Sequence, residues 1–179
     1  ITNSRAKLAH AFDPYFIYTI IKNDVSHCDE GLYMYQAIEL IGKIGAKKMF
    51  FPPFLSCDSE WSNNVLTNTL NYTKPYRIKE FYTIKINHPQ VIRNIKGLVN
   101  ANIPVVSAFS ITKSLYPRSS SNPRGVNSSG LWTPSELEDS EGGHAMTIIG
   151  YDDYKFGGAF RIVNSWGSDY GDNGYIWMK

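Results

Sequence analysis

The residue types best suited to chemistry stand in two short stretches near the C-terminus: Gly142-Gly143-His144-Ala145-Met146 and, twenty positions after the histidine, Asn164-Ser165-Trp166-Gly167. Apolar and β-favouring residues follow His144 and precede Asn164, so the pattern puts the imidazole at the start of one strand and the carboxamide at the end of the next. Antiparallel neighbours of that kind bring two side chains within hydrogen-bond range. A carboxamide oxygen accepting from one ring nitrogen fixes the tautomer and leaves the other nitrogen facing a nucleophile. Trp166 would roof that bond against water, and Gly142 and Gly143 would let backbone or substrate approach closely. The blander reading makes His144 a satisfied core histidine and Asn164 a strand-end turn residue. Two motifs in order, each at a strand end, bring the chemical reading level with the bland one and leave both open.

Such a base needs a nucleophile. The chain has two cysteines, Cys28 and Cys57, which can form one disulfide or stay free, and their spacing alone does not decide. Cys28 precedes a helix N-terminus, where thiol pKa values fall, and stands ahead of His144 and Asn164 in chain order, but Asp29 beside it opposes thiolate formation. His10, His27 and His88 lack metal-ligand spacing with one another or with the cysteines, and Asp152-Asp153 reads as a turn, so neither metal nor cofactor is expected.

The elements that must position these residues fall into two halves. Asp13-Pro14 is a helix start, and the apolar spacing predicts a helix from Pro14 to Lys22. Met34, Ala37, Ile38, Ile41 and Ile44 predict a second helix that stops at Gly45. Two adjacent prolines make 50–71 an irregular aromatic wall. Partial alternation over 77–86 predicts an edge strand. Asn87 reads as the cap of a third helix, with Pro89 in its first turn, Val91, Ile92, Ile95, Leu98 and Val99 as its stripe, and an end near Asn102. Four β-rich runs follow at 104–111, 145–151, 159–164 and 175–178. Between the first two lies a long Ser-, Pro- and Gly-rich loop, 112–143, expected to lie beside the site. Leu131 and Trp132 would pin that loop to the sheet while 117–129 stays mobile. The plan is α+β in one domain over 1–179, mainly helical in 1–102 and mainly β in 103–179.

Composition excludes other classes. Of 179 residues, 42% are hydrophobic and 19% charged, too apolar for a disordered chain. Eighteen basic against sixteen acidic residues, without a long basic run, give no footprint for nucleic acid. No apolar run is long enough to span a membrane, and Ile1-Thr2-Asn3-Ser4-Arg5 lacks the regions of a secretory signal. The start without Met is read as a mature form or a fragment. Asn71-Tyr72-Thr73 and Asn127-Ser128-Ser129 fit glycosylation acceptors, triplets that also arise by chance.

The segments from Gly142 to Ala145, Gly150 to Asp153, Ala159 to Gly167 and Tyr170 to Tyr175 together resemble the C-terminal signature of the papain-like cysteine peptidases, particularly their bacterial members. More weakly, Cys28-Asp29-Glu30-Gly31 before a helix is similar to the family's Cys-Asn-Gly-Gly substrate loop. The resemblance implies a helical side and an antiparallel sheet side facing across a cleft. His144 would be general base and acid, Asn164 would orient it, and Trp166 would shield the pair and line the leaving-group side. Gly31 would pair with extended substrate, and Leu32, Tyr33, Ala108 and Ala145 would line the main specificity pocket. A disulfide between Cys28 and Cys57 is implied at the cleft rim; its 29-residue separation (57 minus 28) would give about 3–4 kcal/mol in the loop-entropy model.

One departure is large. The family's nucleophilic cysteine lies in a Gln-x-x-x-x-x-Cys-x-x-x-Trp stretch at the start of a central helix, and nothing in these 179 residues matches it. The expected protein is therefore a cysteine endopeptidase whose thiol lies outside this chain, in an upstream segment or a companion chain, with this chain alone inactive. A catalytically dead domain that binds peptide or a protein partner is the alternative. The resemblance favours a secreted or cell-surface location; charge and apolar-run length lead to no expected nucleic-acid or membrane partner.

Overall fold

The computed structural model describes residues 11–22, 30–49, 70–71, 73–123, 125–135 and 137–179. The chain divides into two compact units, Ile1–Thr83 and Ile84–Lys179.

In the first unit, α1 (Pro14–Lys22) and α2 (Met34–Ile44) follow the apolar spacing of the sequence. Asp13 caps α1 by accepting the Tyr15 amide at 3.1 Å, and its other oxygen meets Lys47 Nζ at 3.0 Å. Proline at the first helical position costs nothing there, because that amide has no partner within the helix. Gly45 ends α2 with φ at +86°, its amide donating to Ile41 O at 2.9 Å. A Cβ at Gly45 would lie 2.0 Å from Thr73 O, so the stop requires glycine sterically as well as conformationally.

Residues 77–85 form no strand, contrary to the sequence expectation. Alternation there is only partly apolar, and Phe81 and Tyr82 stay exposed; without a buried face, nothing fixes a register.

The second unit opens with a turn over 86–90 and then α3 (Val91–Asn100). The cap is Gln90 and not Asn87, because the turn ending at His88 O receives the Val91 amide before the helix begins. Ile95 and Val99 pack against the core of the sheet, so α3, grouped by its sequence with the helical half, belongs with the strands.

The sheet comprises β1 (Val105–Ile111), β2 (Leu131–Trp132), β3 (Gly142–Asp152), β4 (Ala159–Val163) and β5 (Tyr175–Met178), in the order β1-β3-β4-β5-β2. All neighbours are antiparallel except β2 with β5, a parallel pair that the sequence did not suggest. Met146 and Ile148 of β3 and Ile162 of β4 face the core with Ile176 and Trp132. Full burial of residues such as Ile162 and Ile176 is worth about 1.5–3 kcal/mol each. An irregularity between Ile148 and Gly150 inserts Ile149 as an extra residue opposite Ile162 and Arg161; it turns Ile149 outward while Tyr151 still packs on the core.

The segment 117–129 is tied down at both ends. Pro117 bridges Val126, the Arg118 amide donates to Val126 O at 2.8 Å, and the Val126 amide donates to Tyr116 O at 3.0 Å. Val126 is only 3% exposed and belongs to the core. Trp132 is fully buried, its indole donating to Ser114 Oγ at 3.2 Å.

Candidate active site

His144 belongs to the core-facing row of β3, two residues before Met146, and stands opposite Phe109 of β1. β4 runs antiparallel to β3 with Val163 opposite Thr147, so Asn164 leaves the sheet at the end where His144 lies. The Asn164 backbone is held there by its amide donating to Gly174 O at 3.1 Å. The two side chains meet: His144 Nε2 lies 2.8 Å from Asn164 Oδ1.

The same Oδ1 accepts the Ser165 backbone amide at 2.8 Å. An amide N–H can only donate, which identifies that Asn164 atom as the oxygen. His144 Nε2 must then carry the proton. The tautomer with Nδ1 free follows, leaving that nitrogen as the acceptor available to a nucleophile. Asn164 is 8% exposed, and its amide nitrogen meets no acceptor in hydrogen-bonding geometry among the described residues.

The Trp166 ring lies against the imidazole, its centroid 5.2 Å away and its plane tilted by 30°. It stacks on Tyr116 at 5.5 Å with planes 11° apart and meets Tyr170 edge-on at 4.9 Å. Tyr170 is a buried support, its hydroxyl donating to Leu115 O at 2.5 Å. Burial pushes the Tyr170 phenol up from its ordinary value, and the neighbouring Asn164 side chain offsets a little of that rise. The turn beneath Trp166 depends on Gly171 at φ +59°, where a Cβ would sit 2.4 Å from Tyr175 O. Asp172 anchors the far side of that turn through the Trp177 indole at 3.2 Å, a bond that lowers its carboxyl below the ordinary 3.8.

The other residues singled out by the sequence fall in both units. In the second, Ala108 and Ala145 are exposed partners across the β1–β3 ladder. In the first, Gly31, Leu32 and Tyr33 form the extended approach to α2; Gly31 has open space around it, and Tyr33 is exposed and stacks on Tyr35 at 5.8 Å. Cys28 and Cys57, with the expected disulfide, lie outside the described residues, as do His10 and His27. His88 accepts the Gln90 amide in a turn, and Asp152 caps the turn after β3 through the Tyr154 and Lys155 amides. No group of three or more His, Cys, Asp or Glu side chains is placed to hold a metal among the described residues. No helix among them is long and apolar enough to cross a membrane. Sequence reasoning missed Tyr116 and Tyr170. The available signal was Tyr170 at four positions after Trp166, close enough to fold back on it through a glycine turn.

The family described as papain family cysteine protease matches residues 17–179. None of the curated proteins matches the chain. Among solved structures, the chain is similar to xylellain, a cysteine protease from Xylella fastidiosa, with a TM-score of 0.69 and 25% identity over 93% of this chain and 63% of that one. It shares its fold with procathepsin L 3 of the Tenebrio molitor larval midgut, with a TM-score of 0.64 and 18% identity over 97% of this chain and 51% of that one. It also shares it with procathepsin B S9 from Trypanosoma congolense, with a TM-score of 0.55 and 15% identity over 93% and 54%. The chain spans less than two thirds of the length of each of these structures. The family match runs from within α1 to the residue after β5 and takes in both His144 and Asn164: the chain belongs to the papain family of cysteine proteases and has its α+β fold.

Proposed function

We propose that this chain supplies the base half of a cysteine endopeptidase, with His144 and Asn164 acting on a thiol carried by a segment or companion chain outside these 179 residues. The observation that carries this reading is the 2.8 Å bond from His144 Nε2 to Asn164 Oδ1, with the Trp166 ring against the imidazole. It leaves Nδ1 as the free base. Nδ1 takes the thiol proton, the thiolate attacks the peptide carbonyl, and the imidazolium returns that proton to the leaving amine. Water, deprotonated by Nδ1, then releases the acyl group from sulfur. Asn164 holds the ring in position through both proton transfers, and Trp166 keeps water from competing for the bond that holds it. Substrates would be peptides or proteins, bound in extended form near Ala108 and Ala145 of the second unit.

In the thiol-bearing polypeptide, His144→Ala should lower kcat/KM for peptide hydrolysis by about 10²–10⁴-fold, the usual worth of a positioned general base. Hydrolysis unchanged by that substitution would refute the assignment. A second reading, a catalytically dead domain that binds peptide, is favoured by one observation: no stretch of this sequence matches the family's nucleophile segment. It predicts peptide binding with no turnover even when any companion segment is present.

A further inference from the structure

Next to the His144–Asn164 pair the second unit has an open depression of about 430 Å³ lined by Tyr116, Pro117, Trp166, Asp169 and Tyr170. Trp166 is common to both, since it touches the imidazole and forms a wall of the depression. The other walls are the Tyr116 ring stacked on Trp166, the edge-on Tyr170 ring and the Pro117 ring. Among the described residues, Asp169 is the one charged member of the lining. It is exposed, and its carboxylate forms no ion pair or hydrogen bond among the described residues. The Tyr170 hydroxyl is already committed to Leu115 O.

Aromatic faces attract cations through the ring quadrupole, and tryptophan does so most strongly. A carboxylate at the rim of such a wall adds an ionic partner for the same cation. The long aliphatic stem of a lysine or arginine would lie along Tyr116 and Pro117 while its head reaches Asp169. A glutamate would be repelled by Asp169, and a neutral side chain of equal length would leave that carboxylate unused. We propose that this depression is a specificity subsite that takes a Lys or Arg side chain of the peptide beside His144, with Asp169 as the selecting residue. The proposal rests on the peptidase reading for the identity of the peptide as substrate.

The test is binding to the 179-residue chain, followed by NMR at the Trp166 indole N–H. The probes are three end-blocked tripeptides, Gly-Lys-Gly, Gly-norleucine-Gly and Gly-Glu-Gly. The lysine peptide should shift the Trp166 signal and bind about fivefold or more tightly than the norleucine peptide, the scale of one partly exposed ion pair. Asp169→Asn should abolish that preference, and Asp169→Lys should turn it toward the glutamate peptide. Asp169 is a surface residue, and a dispersed spectrum shows that each variant is folded. Absence of lysine-peptide binding, equal binding of all three peptides, or a lysine preference that survives Asp169→Asn would overturn the subsite. Binding is read without bond cleavage, so the two proposals fail separately. An Asp169-dependent lysine preference, with a thiol-bearing polypeptide that hydrolyses nothing, keeps the subsite and removes the peptidase. Hydrolysis without that preference removes the subsite alone.

Discussion

Asn164 Oδ1 accepts from both the Ser165 amide and His144 Nε2, each at 2.8 Å, and the first bond dictates the proton on the second. The backbone amide cannot accept, so the imidazole must donate from Nε2. Ring-nitrogen chemical shifts of the neutral imidazole in this chain should therefore show the Nε2–H tautomer for His144. Asn164→Ala should give a mixture of tautomers. A wild-type His144 with its proton on Nδ1 and Nε2 bare would contradict the geometry, and no activity is needed to see it.

Tyr170 links the shield to the core, under Trp166 at one edge and bonded to Leu115 O at its hydroxyl. Burial raises the folded phenol above its ordinary 10.0. A raised folded value means that its contribution is complete below pH 10 and lost as pH climbs from there toward the folded value. Tyr170→Phe leaves the Leu115 carbonyl without its donor and should cost about 1–2 kcal/mol near neutral pH. The phenylalanine cannot ionise, so the gap in Tm between wild type and variant should narrow above about pH 10. A gap that stays constant across that range would rule out Tyr170 as an alkaline-sensitive group.

Val126 fastens the long connection between β1 and β3. With its side chain 3% exposed and both backbone groups bonded, Val126→Ala should lower stability by about 1–3 kcal/mol in denaturant unfolding. Deletion of 118–128 should cost far more, because it removes Val126 together with the backbone bonds to Tyr116 and Arg118. If the deletion unfolds at the wild-type denaturant midpoint, the segment is a surface insertion and its bonds carry no stability.

Local rules made much of this legible. α1 and α2 follow from a Pro-led start, apolar spacing and a glycine stop, all short-range. The strands around His144 and Asn164 could be read because β-rich runs there alternate and end at glycines. What escaped was long-range. Partial alternation over 77–86 could not reveal that no partner strand would pair with it. The two-residue β2 is too short for any period, and exists because Trp132 is buried and the Trp177 amide reaches Gly130 O at 2.8 Å. The Asn87 cap failed because the turn at His88 already receives the Val91 amide. At the site, the histidine and asparagine carried their own signal through residue type and order. The Tyr116–Trp166 stack did not, since it joins residues fifty positions apart.

The central claim is that a thiol acts with His144, and thiol alkylation tests it most directly. Peptide hydrolysis by the thiol-bearing polypeptide would be followed during treatment with iodoacetamide while peptide mapping records which cysteine is modified. Activity should disappear in step with alkylation of one cysteine, and substrate should slow both. Hydrolysis at full rate after every cysteine has been alkylated would contradict the account.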